Sequence, residues 1–222
     1  MRLTHFGHSC VLVEIGDRRI LLDPGAFSAG FEELRGLDAI VVTHQHPDHC
    51  DPVRFGPLAQ ANAGARLLLE AQTADQLADS LGSRIEALVP GEEVTLDAVT
   101  LRSVGQRHAI IHADIPRIDN TGVVLSAAGE PTLFHPGDAL DAEPGEVDIL
   151  CVPVNAPWCA MKETVDFARR IGALQIVPIH DGLLGENGRE LYLRQIGNLA
   201  GQVVDGLEVR DLAGRGTVEV TA

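Results

Sequence analysis

Apolar positions along this chain come mostly in short runs broken by glycine, proline and aspartate. Short apolar runs rich in β-branched residues read as strands. Residues 2–23 hold three: a first strand, then Cys10–Ile15 and Arg18–Asp23 returning around a Gly16-Asp17 turn and stopped by Pro24-Gly25. Further strands are expected at Ala39–Val42, Arg66–Leu69, Gly122–Ser126, Pro131–Phe134, Val147–Val154 and Leu174–His180. Two more hairpins are expected, Glu93–Leu96 with Val99–Val104, and a closing pair, Leu207–Leu212 with Thr217–Val220. Helices lie between. One starts at Asp51-Pro52, a side-chain acceptor followed by proline, and runs to about residue 63. Thr73–Leu81 has Thr73 as cap and Gly82 as stop, and Lys162–Ile171 places Val165, Ala168 and Ile171 on one face before Gly172. Asn187–Leu199 is the last, with Asn187 as its cap, and residues 26–37 read as loop and short helix. Strands followed by helices occur twice, before and after about residue 115, with no linker between. Residues 1–222 therefore read as a single α/β domain.

Composition narrows the function. Apolar residues make up 45% and charged residues 22%, an ordinary globular balance. The formal net charge is −15, from 17 basic and 32 acidic side chains. That balance repels phosphate backbones and anionic membranes, so a small-molecule substrate is expected, with no nucleic acid and no membrane partner. Cys10, Cys50, Cys151 and Cys159 are widely spaced, and the N-terminal stretch has no apolar segment of signal-peptide length. Both features predict reduced thiols and a cytoplasmic protein. A symmetric homo-oligomer is the default expectation for such a protein.

The chemistry concentrates where the buried run Ala39–Val42 ends. The next residues are Thr43-His44-Gln45-His46-Pro47-Asp48-His49-Cys50-Asp51. Pro47 cannot donate to a sheet and disfavours helical geometry at His46, so this is a loop at a strand's end. Loops there are where α/β proteins place ligands. The chain has nine histidines, and three of them fall within six positions here. Imidazole and carboxylate together suit zinc and its divalent neighbours.

His44-x-His46-x-Asp48-His49 resembles the signature of the metallo-β-lactamase-fold hydrolases. Later segments resemble that family's remaining motifs in order: His108 after the strand ending at Val104, Gly137-Asp138 after the strand ending at Phe134, and His180 closing the strand from Leu174. His112 is an alternative to His108 by position. The resemblance implies a four-layer αβ/βα sandwich. It implies His44, His46 and His108 on a first metal, Asp48, His49 and His180 on a second, and Asp138 bridging. Asp23, in an Asp-Pro after a strand, resembles a residue that orients the metal loop without touching metal. The turn Gly7-His8-Ser9 resembles that of the ascorbate-6-phosphate lactonase branch, in which His8 is either a substrate contact or a packed turn residue. Ala109 and Ala139 depart from the serine and threonine often found at those places.

The implied cofactors are two divalent ions, zinc first, with manganese or iron as alternatives. A water held between two cations loses a proton near neutral pH and becomes a bridging hydroxide nucleophile. The expected protein is thus a binuclear metal-dependent hydrolase of a small ester, lactone, amide or phosphodiester, with Asp48 and Asp138 as its catalytic carboxylates. The alternatives are a catalytically idle metal-binding or regulatory module, or a phosphodiesterase or nuclease. His8, His112 and Trp158 are the candidate substrate contacts; Trp158 either lines a pocket or anchors its loop in the core.

Overall fold

The computed structural model describes residues 1–221. Strands β1 (Arg2–His5), β2 (Val11–Ile15), β3 (Arg18–Leu22), β4 (Ala39–Val42), β5 (Arg66–Glu70) and β6 (Ile85–Leu88) lie side by side in one sheet. Strands β7 (Glu93–Leu96), β8 (Val99–Val104), β9 (Gly122–Ala127), β10 (Leu133–His135), β11 (Ile149–Pro153), β12 (Gln175–Ile179) and β13 (Glu208–Val209) form a second. The last strand, β14 (Thr217–Glu219), returns to the first sheet beside β1.

The continuous apolar runs follow from burial on both faces. In β4, Ala39 and Val41 point between the sheets, where they join Leu3, Ile20, Leu101, Val123, Cys151 and Val177. Ile40 and Val42 point outward and pack with Phe55 and Leu58 of α1 (Phe55–Ala61) and Ala74 of α2 (Ala71–Leu81). Side chains alternate with a period of two, so a strand covered on both faces has no polar position to spare. On the far side, Leu150, Val152 and Ile176 of the second sheet meet Val165 and Phe167 of α3 (Met161–Ile171) and Ile196 of α4 (Glu186–Ala200). The result is the expected α/β four-layer sandwich. Each large apolar side chain fully buried in these layers contributes roughly 1.5–3 kcal/mol before entropy is counted.

Four local expectations change. The closing hairpin does not form. Around residue 212 the chain crosses from one sheet to the other, so β13 pairs in parallel with β12 while β14 pairs antiparallel with β1. Two short alternating segments look the same whether they pair with each other or with separate sheets. Helix α1 begins at Phe55, later than expected, although Asp51 does act as the expected acceptor, its carboxylate taking the N–H groups of Val53 and Arg54, both at 2.8 Å, in the turn that leads into the helix. Helix α2 is capped by Glu70, which accepts from Gln72 N at 2.6 Å and Thr73 N at 3.1 Å, while the Thr73 hydroxyl also donates to it. No cap side chain holds the start of α4, which follows Gly185, so Asn187 does not serve there.

Strands β3, β4 and β5 are parallel, as are β10, β11 and β12. Their C-terminal ends deliver one set of loops to one rim. The loop after β3 is fastened to the histidine loop by Ala26 N to Pro47 O at 2.8 Å and Asp51 N to Pro24 O at 3.0 Å. Their approach requires Gly25, where a Cβ would lie 1.7 Å from the Asp48 carbonyl oxygen. No helix among the described residues is long and apolar enough to cross a membrane.

Gly25→Ala should destabilise the protein by about 1–3 kcal/mol, the usual cost of overpacking. Guanidinium unfolding measures this, and an unchanged midpoint would mean the two loops separate freely.

Candidate metal centre

Asp23, at the end of β3, is fully buried with φ 46°, a left-handed conformation that costs a non-glycine residue about 1–2 kcal/mol. It accepts from Thr43 N at 2.8 Å, Thr43 Oγ1 at 2.7 Å and His49 Nδ1 at 2.6 Å. This clamp shapes the histidine loop. His108 enters from the loop after β8, Asp138 from the turn after β10, and His180 directly after β12. Asn120 fixes Asp138: its Oδ1 accepts from Asp138 N at 2.9 Å and its Nδ2 donates to Pro136 O at 2.9 Å. Gly137 makes this turn possible, with φ 62° and space for no Cβ, which would lie 2.3 Å from Asn120 Oδ1.

The side chains converge in two groups, within each of which the facing atoms all lie within 4.8 Å of one another. One holds His44, His46, His108 and Asp138; the other holds His8, Asp48, His49 and His180. Asp138 spans both. Its Oδ2 is 3.3 Å from His108 Nε2 and 3.2 Å from His180 Nε2, and its Oδ1 is 3.0 Å from His49 Nε2.

The ring orientations follow from what each Nδ1 meets. His108 Nδ1 donates to Ala109 O at 2.6 Å and His180 Nδ1 to Asn155 O at 2.7 Å. His49 Nδ1 donates to Asp23. His44 Nδ1 donates to Thr43 Oγ1 at 3.1 Å, because that hydroxyl spends its own proton on Asp23. Carbonyl and carboxylate oxygens only accept, so each Nδ1 carries a proton and each ring turns its Nε2 toward Asp138, free to offer a lone pair once a cation takes the place of any proton there. His108 Nε2 and Asp138 Oδ1 are buried without a hydrogen bond. Lone pairs and a carboxylate gathered out of water repel one another until a cation lies among them. Imidazole and carboxylate are the donor set that a divalent metal such as zinc takes.

His8 is turned the opposite way. Its Nδ1 accepts from Gly182 N at 3.1 Å, so the ring proton is on Nε2, which donates to Asp48 Oδ2 at 3.1 Å. A nitrogen that carries a proton offers no lone pair to a metal, and His8 therefore acts as a donor that orients Asp48. It too is left-handed, at φ 51°, held by His180 N and His5 Nε2 on its carbonyl, both at 2.9 Å.

Electrostatics divide the histidines. Burial pushes His44, His46 and His8 below the ordinary imidazole range. Burial acts the same way on His49 and His180, but Asp138 outweighs it in both, joined at His49 by Asp23, and raises them. Burial would raise Asp48, yet the His8 hydrogen bond and the nearby His49 bring it down to about 2. Asp138 is likewise driven well below the carboxylate range, against its burial, by His49, His180 and His44.

Every residue expected to ligate metal is thus in one of the two groups. Of the candidate substrate contacts, His8 faces Asp48. Trp158 reaches the site, its Nε1 donating to Asp138 Oδ2 at 3.0 Å. His112 lies outside both groups, 65% exposed beside Asp114. His135 is structural: its Nε2 donates to Ser9 O at 3.0 Å and ties β10 to the turn after β1. Sequence reasoning missed Thr43 and Asn120 as positioning residues. Neither carries a local signal, since each acts on a partner reached only in the fold.

A family model described as a β-lactamase superfamily domain matches residues 2–180. The chain is 44% identical over 193 residues to protein Rv0786c of Mycobacterium tuberculosis, covering 86% of this chain and 89% of that one. It is 31% identical over 149 residues to the UPF0173 metal-dependent hydrolase of Aeropyrum pernix, covering 62% and 61% of the two chains. Its fold is similar to that of Igni18, a metallo hydrolase from Ignicoccus hospitalis, with TM-score 0.74, 18% identity and 99% of each chain covered.

Because His49 and His180 hold protons more tightly than ordinary imidazoles, a cation must displace them. Zinc binding at pH 7 should release protons, and affinity should fall as pH drops through the histidine range. Calorimetry in two buffers of different ionisation enthalpy reads the release; none would mean that these rings do not face the cation. For His8, the His8→Gln variant keeps a donor near Nε2. It should bind cobalt with the wild-type stoichiometry and visible spectrum, whereas a changed ligand-field spectrum would make His8 a ligand.

Proposed function

The chain belongs to the β-lactamase superfamily domain family, and we propose that it is a metal-dependent hydrolase whose two His/Asp groups hold a pair of divalent cations. His44, His46 and His108 would hold the first, Asp48, His49 and His180 the second, with Asp138 between them. The observation that carries this reading is the convergence of four Nε2 atoms on the buried Asp138, each ring fixed by a protein acceptor at its own Nδ1. The names of its metal-dependent hydrolase relatives support the reaction class. Zinc suits the donors best, and manganese or iron would also bind them.

Bound cations supply a water whose proton is lost near neutral pH and polarise the oxygen of the scissile group. The chain's own residues do the rest. Asp48, brought down to about 2 against its burial, chiefly by its His8 hydrogen bond, is the carboxylate of the second group and its proton acceptor. His8 holds its Oδ2, which also lies 3.7 Å from His180 Nε2. Trp158 fixes Asp138 from the rim, its ring edge-on to His108 and His180 at centroid distances of 5.9 and 5.8 Å. Hydrolysis of an ester, lactone or amide adds the water oxygen to the carbonyl carbon, breaks the bond to the leaving oxygen or nitrogen, and returns a proton to it. A phosphodiester would follow the same sequence at phosphorus. The site draws on both sheets, which supports one catalytic domain over residues 1–222.

Protein purified without chelator or added metal should contain two equivalents of metal by plasma emission. Asp138→Ala should retain at most one and lose at least about a hundredfold in kcat/KM, since even residues behind the ligands cost 10–100-fold. Two equivalents with no turnover across ester, lactone, amide and phosphodiester panels would instead favour an idle metal-binding module.

A further inference from the structure

The loops that carry the site also carry large apolar side chains left in solvent. Phe27, Ile110, Ile115 and Leu183 are 49%, 65%, 48% and 55% exposed. Each lies shortly after a site residue: Phe27 after Asp23, the isoleucines after His108, Leu183 after His180. The Phe27 ring is edge-on to His8 at 5.2 Å, and its Cβ flanks Gly182. Ile110 and Ile115 lie beside His46 and His108 around a recess of only about 10 Å³, so they offer a ligand an open apolar surface and do not enclose it. Trp158 closes another side against His108 and His180. The polar centre is therefore bordered by hydrocarbon contributed from four separate loops. Exposed apolar groups collected around a polar site mark a ligand surface.

Protein cations are spent elsewhere. The arginines on or beside these loops are engaged by carboxylates: Arg54 by Asp51 at 2.6 Å, Arg107 by Asp119 at 2.8 Å, Arg117 by Asp141 at 3.6 Å, and Arg189 by Asp181 and Asp211 at 2.6 and 2.7 Å. Asp114, on the same loop as the isoleucines, is 92% exposed. An anionic group arriving at this mouth meets no guanidinium on these loops that lacks a carboxylate partner, and it meets the exposed Asp114, whose partner is His112 at 3.5 Å. The single lysine, Lys162, in the first turn of α3, is the remaining positive charge near the Trp158 loop.

From this arrangement we propose that the substrate is a neutral carboxylic ester, lactone or amide carrying an apolar group that packs on Phe27, Ile110, Ile115 and Trp158. The reaction rests on the hydrolase reading above; the choice of ligand does not. A phosphodiester is the disfavoured alternative, on charge and on the absence of a guanidinium to grip it.

The test uses the metal-loaded protein in two independent measurements. In turnover, p-nitrophenyl hexanoate should exceed p-nitrophenyl acetate in kcat/KM by about tenfold or more, the scale a hydrocarbon pocket provides. Bis(p-nitrophenyl) phosphate should be the poorest of the three. The exposed pair Ile110→Ser/Ile115→Ser should bring the hexanoate-to-acetate ratio toward unity with metal content unchanged. In binding, Trp158 is the only tryptophan, so its fluorescence reports occupancy without catalysis. Hexanamide should shift it at concentrations where dimethyl phosphate does not, and the serine pair should abolish the shift. If no ester is cleaved but hexanamide still binds this way, the substrate class stands and the hydrolase reading falls. Preference for the phosphodiester, equal rates for both esters, or tighter binding of dimethyl phosphate overturns the proposal. Lys162→Ala, which removes the remaining cation, distinguishes a gripped phosphate from one drawn only to the metals.

Discussion

A buried carboxylate ringed by imidazole lone pairs is the interaction on which the rest of this structure depends. Asp138 is 2% exposed and lies within about hydrogen-bonding distance of His49, His108 and His180 at once. Moving an unpaired charge out of water costs far more than a domain's net stability, so the arrangement needs positive charge. Asp138 favours a proton on both His49 and His180, raising them above the ordinary imidazole range. The same geometry gives two His/Asp clusters able to bind a metal ion.

Holding such a cluster open requires a scaffold that does not collapse onto it. The two sheets provide that by packing closely along their length and leaving only their C-terminal rim for polar groups. His44, His46, Asp48 and His49 come from the first sheet, and His108, Asp138 and His180 from the second, so the core between the sheets must form before the site exists. Around the rim, Asp23, Thr43 and Asn120 fix the ligands through buried hydrogen bonds. Strained backbone at Asp23, His8 and His180 is concentrated in the same place. Strain of this kind persists only where the surroundings over-determine it.

Much of this was legible in the chain because the controlling pattern is local. Ala39–Val42 followed by three histidines and an aspartate announces a strand with a ligand loop at its end. The Glu93–Leu96 and Val99–Val104 hairpin forms as expected from its turn and alternation. Where the reading failed, the deciding partner was distant. Segments 207–212 and 217–220 look like a hairpin, yet each satisfies its edge on a different sheet. One miss was local: Glu70 rather than Thr73 caps α2, because its carboxylate reaches Gln72 N and Thr73 N.

Sequence alone determined the fold class and the kind of donor at the ends of the strands, because hydrophobic period and donor type are properties of single residues and their neighbours; the order of the candidate ligands came from the resemblance of the motifs to a known family. Tertiary structure decided what each donor does. His8 and His180 are both histidines at sharp turns, but Gly182 N fills the Nδ1 of one and Asn155 O takes the proton from the Nδ1 of the other. One ring therefore keeps its proton on Nε2, while the other keeps one on Nδ1 and can give up any on Nε2 when a cation binds. Nothing in the type or spacing of a histidine selects its tautomer; the partner across the fold does.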